Sequence, residues 1–237
     1  MNYMTFYGKS LLFMGAHPDD IELGWGALIA DLIGEADIFC MTFSDNQKNP
    51  DLLDLVGEHR NSMHRLGLQD HQFALGTYET RRFPDFRQEI LQEMLELRKK
   101  YQPEIVFVHT VNDMHQDHNT LTEEATRAFR GTTVLGFDVL RSSHGFFPNF
   151  LAEVSEEAIE TKLAALAEYS TYRNRYYFAP DITRATAIRH GALAERRPSG
   201  APLRGRGRSC AMPVRQRGHP QSALCACFAC SACLSVP

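Results

Sequence analysis

Two short apolar runs, residues 10–15 (SLLFMG) and 105–109 (IVFVH), each open directly into a cluster of metal-binding side chains. The first leads into Gly15-Ala16-His17-Pro18-Asp19-Asp20-Ile21-Glu22-Leu23-Gly24, the second into Asn112-Asp113-Met114-His115-Gln116-Asp117-His118. A short run apolar at every position reads as a strand covered on both faces, the habit of parallel sheets. Polar clusters at the carboxyl ends of such strands stand where open α/β sheets bind their ligands. The pairing confines the chain to an α/β architecture in which two distant segments feed one crevice.

The rest of the sequence alternates in keeping with that. Residues 25–33 read as a helix ended by Gly34, and 36–43 as a strand followed by the turn-rich loop 45–50. Residues 52–66 carry an imperfect helical stripe that ends at Gly67, and 73–78 read as a short strand. After Pro84, Ile90, Leu91, Met94, Leu95 and Leu97 fall at helical spacing, stopped by Pro103. A helix is expected over 121–129 with Asn119 or Thr120 as its cap, then strands over 134–140 and 150–154. Ser155 reads as the N-cap of a helix reaching about residue 169. Strands alternating with helices of this length predict a Rossmann-like, mostly parallel sheet with helices on both faces.

At 237 residues and 43% hydrophobic, the chain is expected to fold around one core. A net charge of −4 argues against a nucleic-acid or polyanion binder. No apolar run approaches the roughly 18 residues of a spanning helix, and the start MNYMTFYGKS lacks an apolar signal region, so no membrane association and a cytoplasmic location are expected. Five of the six cysteines lie in the last 28 residues, which leaves Cys40 alone in the body and excludes a disulfide framework there. Beyond residue 178 the only aromatic is Phe228, and residues 184–217 hold nine arginines, one glutamate and no lysine. Such a segment buries little apolar surface, so it is expected to be largely disordered. Two Cys-x-x-Cys steps, Cys227 to Cys230 and Cys230 to Cys233, read as exposed thiols rather than a metal knuckle.

His17 and Asp20, three residues apart, can place two donors on one ion and leave the intervening Asp19 free. The second cluster supplies a third donor. Zinc accepts imidazole nitrogen and carboxylate oxygen alike, and a catalytic zinc keeps one position open. Alone, His-Pro-Asp-Asp would be a turn and His-x-x-His a structural pair; together they point to a metal site.

The segments AHPDDIELG and NDMHQDH resemble the paired motifs of the LmbE / PIG-L family of zinc-dependent N-deacetylases. The resemblance spans residues 9–191, after which the sequence changes to an Arg/Cys-rich tail, residues 192–237, that reads like a different frame. It implies an LmbE-like domain over 1–191 with zinc held by His17, Asp20 and His118. Asp19 is then the general base that later passes its proton to the departing amine. His115 stabilises the oxyanion or protonates the leaving nitrogen, and Asp117 orients an imidazole or completes the surroundings of the metal. Arg60 resembles a substrate-contacting arginine, with an exposed helix arginine as the plain alternative; Glu22 matches a recurrent position or caps the helix after it. The implied substrate is an N-acetylated sugar of the N-acetylglucosamine type or its conjugate. A homo-oligomer stays open, as does a non-catalytic or poorly folded metal-binding remnant in which the family's usual last strand is replaced.

Overall fold

The computed structural model describes residues 6–46 and 54–194, together with the backbone of 223–230. Five parallel strands form its centre: β1 (Ser10–Gly15), β2 (Asp37–Thr42), β3 (Phe73–Leu75), β4 (Ile105–His109) and β5 (Thr133–Phe137), in the spatial order β3-β2-β1-β4-β5. Phe13 is in register with Cys40 on one side and Phe107 on the other.

Alternate strand residues face opposite layers, as the pleat requires. Leu11, Phe13, Ile38, Cys40 and Phe107 point into one core with Trp25, Ile29 and Ile159, from helices α1 (Asp20–Leu32) and α5 (Glu156–Ala167). Leu12, Met14, Met41, Val106 and Val108 point into the other, against Ile90 and Met94 of α3 (Arg87–Tyr101) and Leu121 and Ala125 of α4 (Gln116–Ala128). The helix α2 (Leu55–Arg65) packs against α5, and Leu55 joins Leu166, Tyr169, Tyr172, Tyr177 and Phe178 in a third, aromatic cluster. Helix α1 lies so close to β5 that a Cβ at Gly24 would sit 2.4 Å from the Phe137 ring. Only glycine fits there.

Two helices begin earlier than the apolar pattern suggests: α1 at Asp20 rather than residue 25, and α4 at Gln116 rather than 121. The first turn of α4 is polar, so its stripe starts late while the backbone does not; in α1 the acidic Asp20 and Glu22 interrupt the stripe, although Ile21 is already buried in the core. Strands expected over 73–78 and 134–140 end at Leu75 and Phe137.

The chain beyond residue 178 is also more ordered than its composition implies. Helix α6 (Pro180–Leu193), begun by a proline at its first position, runs through the expected boundary at 191 and buries Thr183, Ala187 and His190. These small or polar residues give almost no apolar signal. After β6 (Phe150–Ser155), a strand β7 (Ala223–Cys230) lies antiparallel between β5 and β6. Its sequence, ALCACFAC, is free of the surrounding arginines. The expectation of disorder for 195–222 and 231–237 falls outside the described residues. Cys40 is buried and free, as expected. Among the described residues no helix is long and apolar enough to cross a membrane.

Candidate functional site

Strands β1 and β4 are neighbours, but the chain leaves β1 towards β2 and leaves β4 towards β5. Their connections diverge and open a crevice at the carboxyl ends, a topological switch point. His17, Asp19 and Asp20 follow β1 directly, and His115, Asp117 and His118 follow β4. The turn into α1 is tight. Asp19 occupies the N-cap position at φ 100°, a left-handed conformation uncommon for a residue with a side chain, and it makes no capping hydrogen bond. Such a conformation costs about 1–3 kcal/mol and is characteristic of functional sites. Here it leaves the Asp19 carboxylate lining the cavity.

Three donor atoms converge at the base of the crevice. His17 Nδ1 lies 3.4 Å from Asp20 Oδ2, His118 Nε2 lies 3.4 Å from the same oxygen, and the two imidazole nitrogens are 3.3 Å apart. Nitrogen and oxygen ligands bind zinc at about 2.0–2.2 Å, and a tetrahedron with such bonds has edges of about 3.3–3.6 Å. The three atoms therefore form one face of a zinc-sized tetrahedron. His109 is a further neighbour, its Nε2 3.3 Å from Asp20 Oδ2. It is a poorer donor, because that nitrogen already accepts the Ala16 backbone N–H at 3.1 Å.

Carboxylates behind the donors fix their orientation. Asp117, fully buried, accepts from His17 Nε2 at 2.9 Å, from the Arg81 amide at 2.6 Å and from the Phe83 amide at 3.2 Å. With the proton held on Nε2, His17 Nδ1 faces the site with its lone pair free. Asp113 Oδ2 lies 3.0 Å from His118 Nδ1 and accepts from the Ser142 and Ser143 hydroxyls. Metal-binding histidines are held this way by carboxylate partners. Burial opposes charge on His118, but Asp20 and Asp113 outweigh it and hold the imidazole up at about 10. Burial likewise works against Asp20, yet His118 and His109 keep its carboxyl well below the usual range. The field already keeps a proton on His118, and a cation among the same atoms would take over that role.

His115 differs from its neighbours. Its Nδ1 caps α4 by accepting the Asp117 amide at 3.2 Å, so the proton sits on Nε2. Burial, reinforced by His118 and His17, lowers it to about 4, so the ring is a neutral donor at pH 7. Burial together with Asp20 and Glu22 pushes the Asp19 carboxyl well above its ordinary value. All five, His17, Asp19, Asp20, His115 and His118, line a cavity of about 880 Å³, within the roughly 300–1,000 Å³ of small-molecule sites.

Arg60 is not brought to this cavity. It lies on the outer face of α2, where Nε and a terminal nitrogen engage Asp70 at 3.1 and 2.5 Å. Glu22 does not line the cavity: fully buried in the first turn of α1, it accepts from the Tyr169 hydroxyl at 2.5 Å and lies 3.5 Å from His59 Nδ1. The cavity wall instead includes Tyr172, Arg175 and Tyr177, whose segment carries no motif that marks it in the sequence.

Known proteins share this architecture. A family described as PIG-L, GlcNAc-PI de-N-acetylase, matches residues 12–129. A curated relative, an uncharacterized deacetylase, YaiS, of Escherichia coli, is 31% identical over 171 residues, covering 69% of this chain and 91% of that protein. Among solved structures, N,N'-diacetylchitobiose deacetylase from Pyrococcus horikoshii superposes with a TM-score of 0.64 at 19% identity, covering 80% of each chain. The zinc-inhibited form of teicoplanin deacetylase Orf2 gives 0.66 at 12% identity, covering 92% of this chain and 97% of that one. At these identities the solved structures bear on the fold alone. The match across both motifs, with a relative spanned over nearly its whole length, shows that the chain belongs to the PIG-L (LmbE-like) deacetylase family.

Proposed function

We propose that the chain is a zinc-dependent hydrolase that removes the acetyl group from the nitrogen of an N-acetylglucosamine-like sugar or a conjugate of one. Membership of a deacetylase family supports the reaction class, and the names of two structural neighbours point to acetylated sugars and glycoconjugates. The observation that carries the reading is the triangle of His17, Asp20 and His118 donors with 3.3–3.4 Å edges, set beside a free Asp19.

Zinc held by His17 Nδ1, Asp20 Oδ2 and His118 Nε2 would supply Lewis acidity towards the amide carbonyl and an acidified water. The chain's own groups do the rest. Asp19 takes the proton of the attacking water and returns it to the amine nitrogen as the C–N bond breaks. Burial and neighbouring carboxylates raise its proton affinity, which suits a shuttle better than an ordinary surface aspartate would. Neutral His115, protonated on Nε2, donates a hydrogen bond to the carbonyl oxygen as negative charge grows there. This favours the oxyanion role over protonation of the leaving group. Asp117 acts through His17 by fixing its tautomer. The joint presence of Asp19, His115 and Asp117 around the donors weighs for a catalyst over a non-catalytic metal-binding chain.

The test is metal content together with acetate release. The zinc-loaded protein should liberate acetate from N-acetylglucosamine compounds, and His17→Ala, Asp20→Ala and His118→Ala should each lower bound zinc. Full zinc occupancy in any of the three would remove that residue from the ligand set.

A further inference from the structure

His109, the last residue of β4, is fully buried and yet touches both halves of the candidate metal site. Its Nε2 accepts the backbone N–H of Ala16, the residue before His17, at 3.1 Å, and lies 3.3 Å from Asp20 Oδ2. Its carbonyl accepts the Thr122 hydroxyl at 2.9 Å, one turn beyond His118 on α4. Its ring stacks on the His118 ring, with centroids 3.7 Å apart and planes 7° from parallel. Phe137, in register with it on β5, backs it at 4.6 Å. Among the described residues its Nδ1, which carries the proton when Nε2 accepts, has no hydrogen-bond partner. A buried donor left unpaired is a cost that few native positions carry, so the contacts on the other side of the ring must offset it.

The stacking decides what this imidazole can do. An ion bonded to an imidazole lies in the plane of that ring, along the nitrogen lone pair. The lone pairs of two face-to-face rings run side by side and do not meet. His109 and His118 therefore cannot hold one ion together, although Asp20, His109 and His118 bring three donor atoms within 4.8 Å of one another. The His17 ring is inclined at 46° to that of His118, which lets their lone pairs converge. His118 itself has little freedom left. Asp113 holds its Nδ1 at 3.0 Å along the edge, and His109 covers a face. With the ring plane fixed, the direction of Nε2 is fixed too.

We infer that His109 is a positioning residue: by tying the backbone before His17 and covering the face of His118, it sets the separation and angle at which the two motifs present their donors. It acts through His17 and His118 and does not itself bind the ion. This rests on the metal reading of His17, Asp20 and His118. Core packing alone is the competing role. It would lower the melting temperature of His109 variants while leaving the metal affinity and metal spectrum of the folded protein as in the parent.

His109→Gln keeps an acceptor near the Nε2 position and loses the ring, whereas His109→Phe keeps the stacking face and loses the acceptor. Parent and variants should be loaded with zinc in competition with a chelator of known affinity, and separately with cobalt(II), whose visible bands report the geometry of its ligands. The metal-free proteins should be melted in parallel. Zinc affinity should fall by about tenfold or more in at least one variant, with the cobalt bands of that variant displaced from those of the parent. The parent loaded with a magnetically active cadmium isotope gives a reading that needs no substitution: ring nitrogens of His17 and His118 should couple to the metal and those of His109 should not. Coupling at His109 overturns the inference. So do parental zinc affinity and parental cobalt bands in both variants, whatever their melting temperatures. Should one variant fail to fold, the other and the cadmium spectrum still decide. A parent protein that takes up no zinc sinks the metal reading and the inference with it; a parent that binds zinc, matched by both variants, sinks the inference alone.

Discussion

Asp117 is the residue on which the geometry makes its sharpest demand, and Asp117→Asn tests it with almost no change in shape. The carboxylate faces three donors: His17 Nε2 and the Arg81 amide at Oδ2, the Phe83 amide at Oδ1. An asparagine has one acceptor oxygen and one amino group, so it cannot satisfy both sides. With its amino group at the Oδ2 position it would oppose the Arg81 N–H and force the His17 proton onto Nδ1, the atom proposed to hold the metal. With the amino group at Oδ1 it opposes the Phe83 N–H, 3.2 Å away, in a fully buried place. The second arrangement is the cheaper one. An unsatisfied buried donor costs about 1–3 kcal/mol. At roughly 2–4 °C per kcal/mol for a chain of this size, metal-free protein should melt about 2–12 °C lower. A neutral amide also supports the imidazole less than a carboxylate, so zinc affinity should fall by about 10- to 100-fold. Thermal denaturation in chelator reports the first effect, and competition with a chelator of known affinity reports the second. A variant that melts with the parent and binds zinc as tightly would refute the role given to Asp117.

Other expectations are shorter. Asp19→Asn should retain zinc while turnover falls by a factor on the order of 100 or more, since the amide cannot accept the water's proton; parental acetate release would show that Asp19 is not the base. Arg60→Ala removes an exposed pairing with Asp70, so unfolding free energy should change by no more than about 1 kcal/mol, and steady-state KM should stay put; a large rise in KM would return Arg60 to the substrate. Burial, only partly offset by Asp138 and Glu22, lowers Lys162 from 10.5 to about 8. Between those values the unfolded chain binds more protons than the folded one, so stability should rise with pH by on the order of 3 kcal/mol across the interval. Urea unfolding at pH 8 and 9.5 should show about half of that rise in the parent and its loss in Lys162→Met; equal slopes in the two proteins would show that Lys162 ionises normally.

The strands and the donors were legible in the sequence because each carries its own signal. Leu11 to Met14 and Ile105 to Val108 are apolar at every position since both faces are covered, and His17, Asp20 and His118 are residue types with a narrow chemical range. Arg60 was not legible, because an imperfect stripe does not say which way an arginine on it points. Nor were Arg175 and Tyr177: Tyr177 sits in a short 3₁₀ turn between α5 and α6 with Arg175 just before it, and what brings them to Asp19 is the packing of Tyr169, Tyr172 and Phe178, a long-range fact. Asp113 was visible only as a loop carboxylate. Its value lies in the 3.0 Å approach to His118 Nδ1, which no spacing encodes.

The spacing of both motifs has a backbone cause as well as a chemical one. In each, a strand ends, the chain turns, and a helix begins between two functional residues three apart: His17 and Asp20 around the start of α1, His115 and His118 around the start of α4. In an extended chain such residues point to opposite faces, whereas across a helix start they share one. The turn is closed by the side chains themselves, the His17 amide donating to Asp20 Oδ2 at 2.8 Å and the Asp117 amide donating to His115 Nδ1 at 3.2 Å. At α4 the His115 imidazole thus stands in for the usual serine or threonine, and that helix begins before its apolar stripe appears, whereas in α1 Asp20 and Glu22 interrupt a stripe that Ile21 has already begun. That is why α1 and α4 start earlier than their sequences suggest, and why the early start matters. A helix begun at residue 121 would leave His118 in a loop, with nothing in the backbone to aim it at His17 and Asp20.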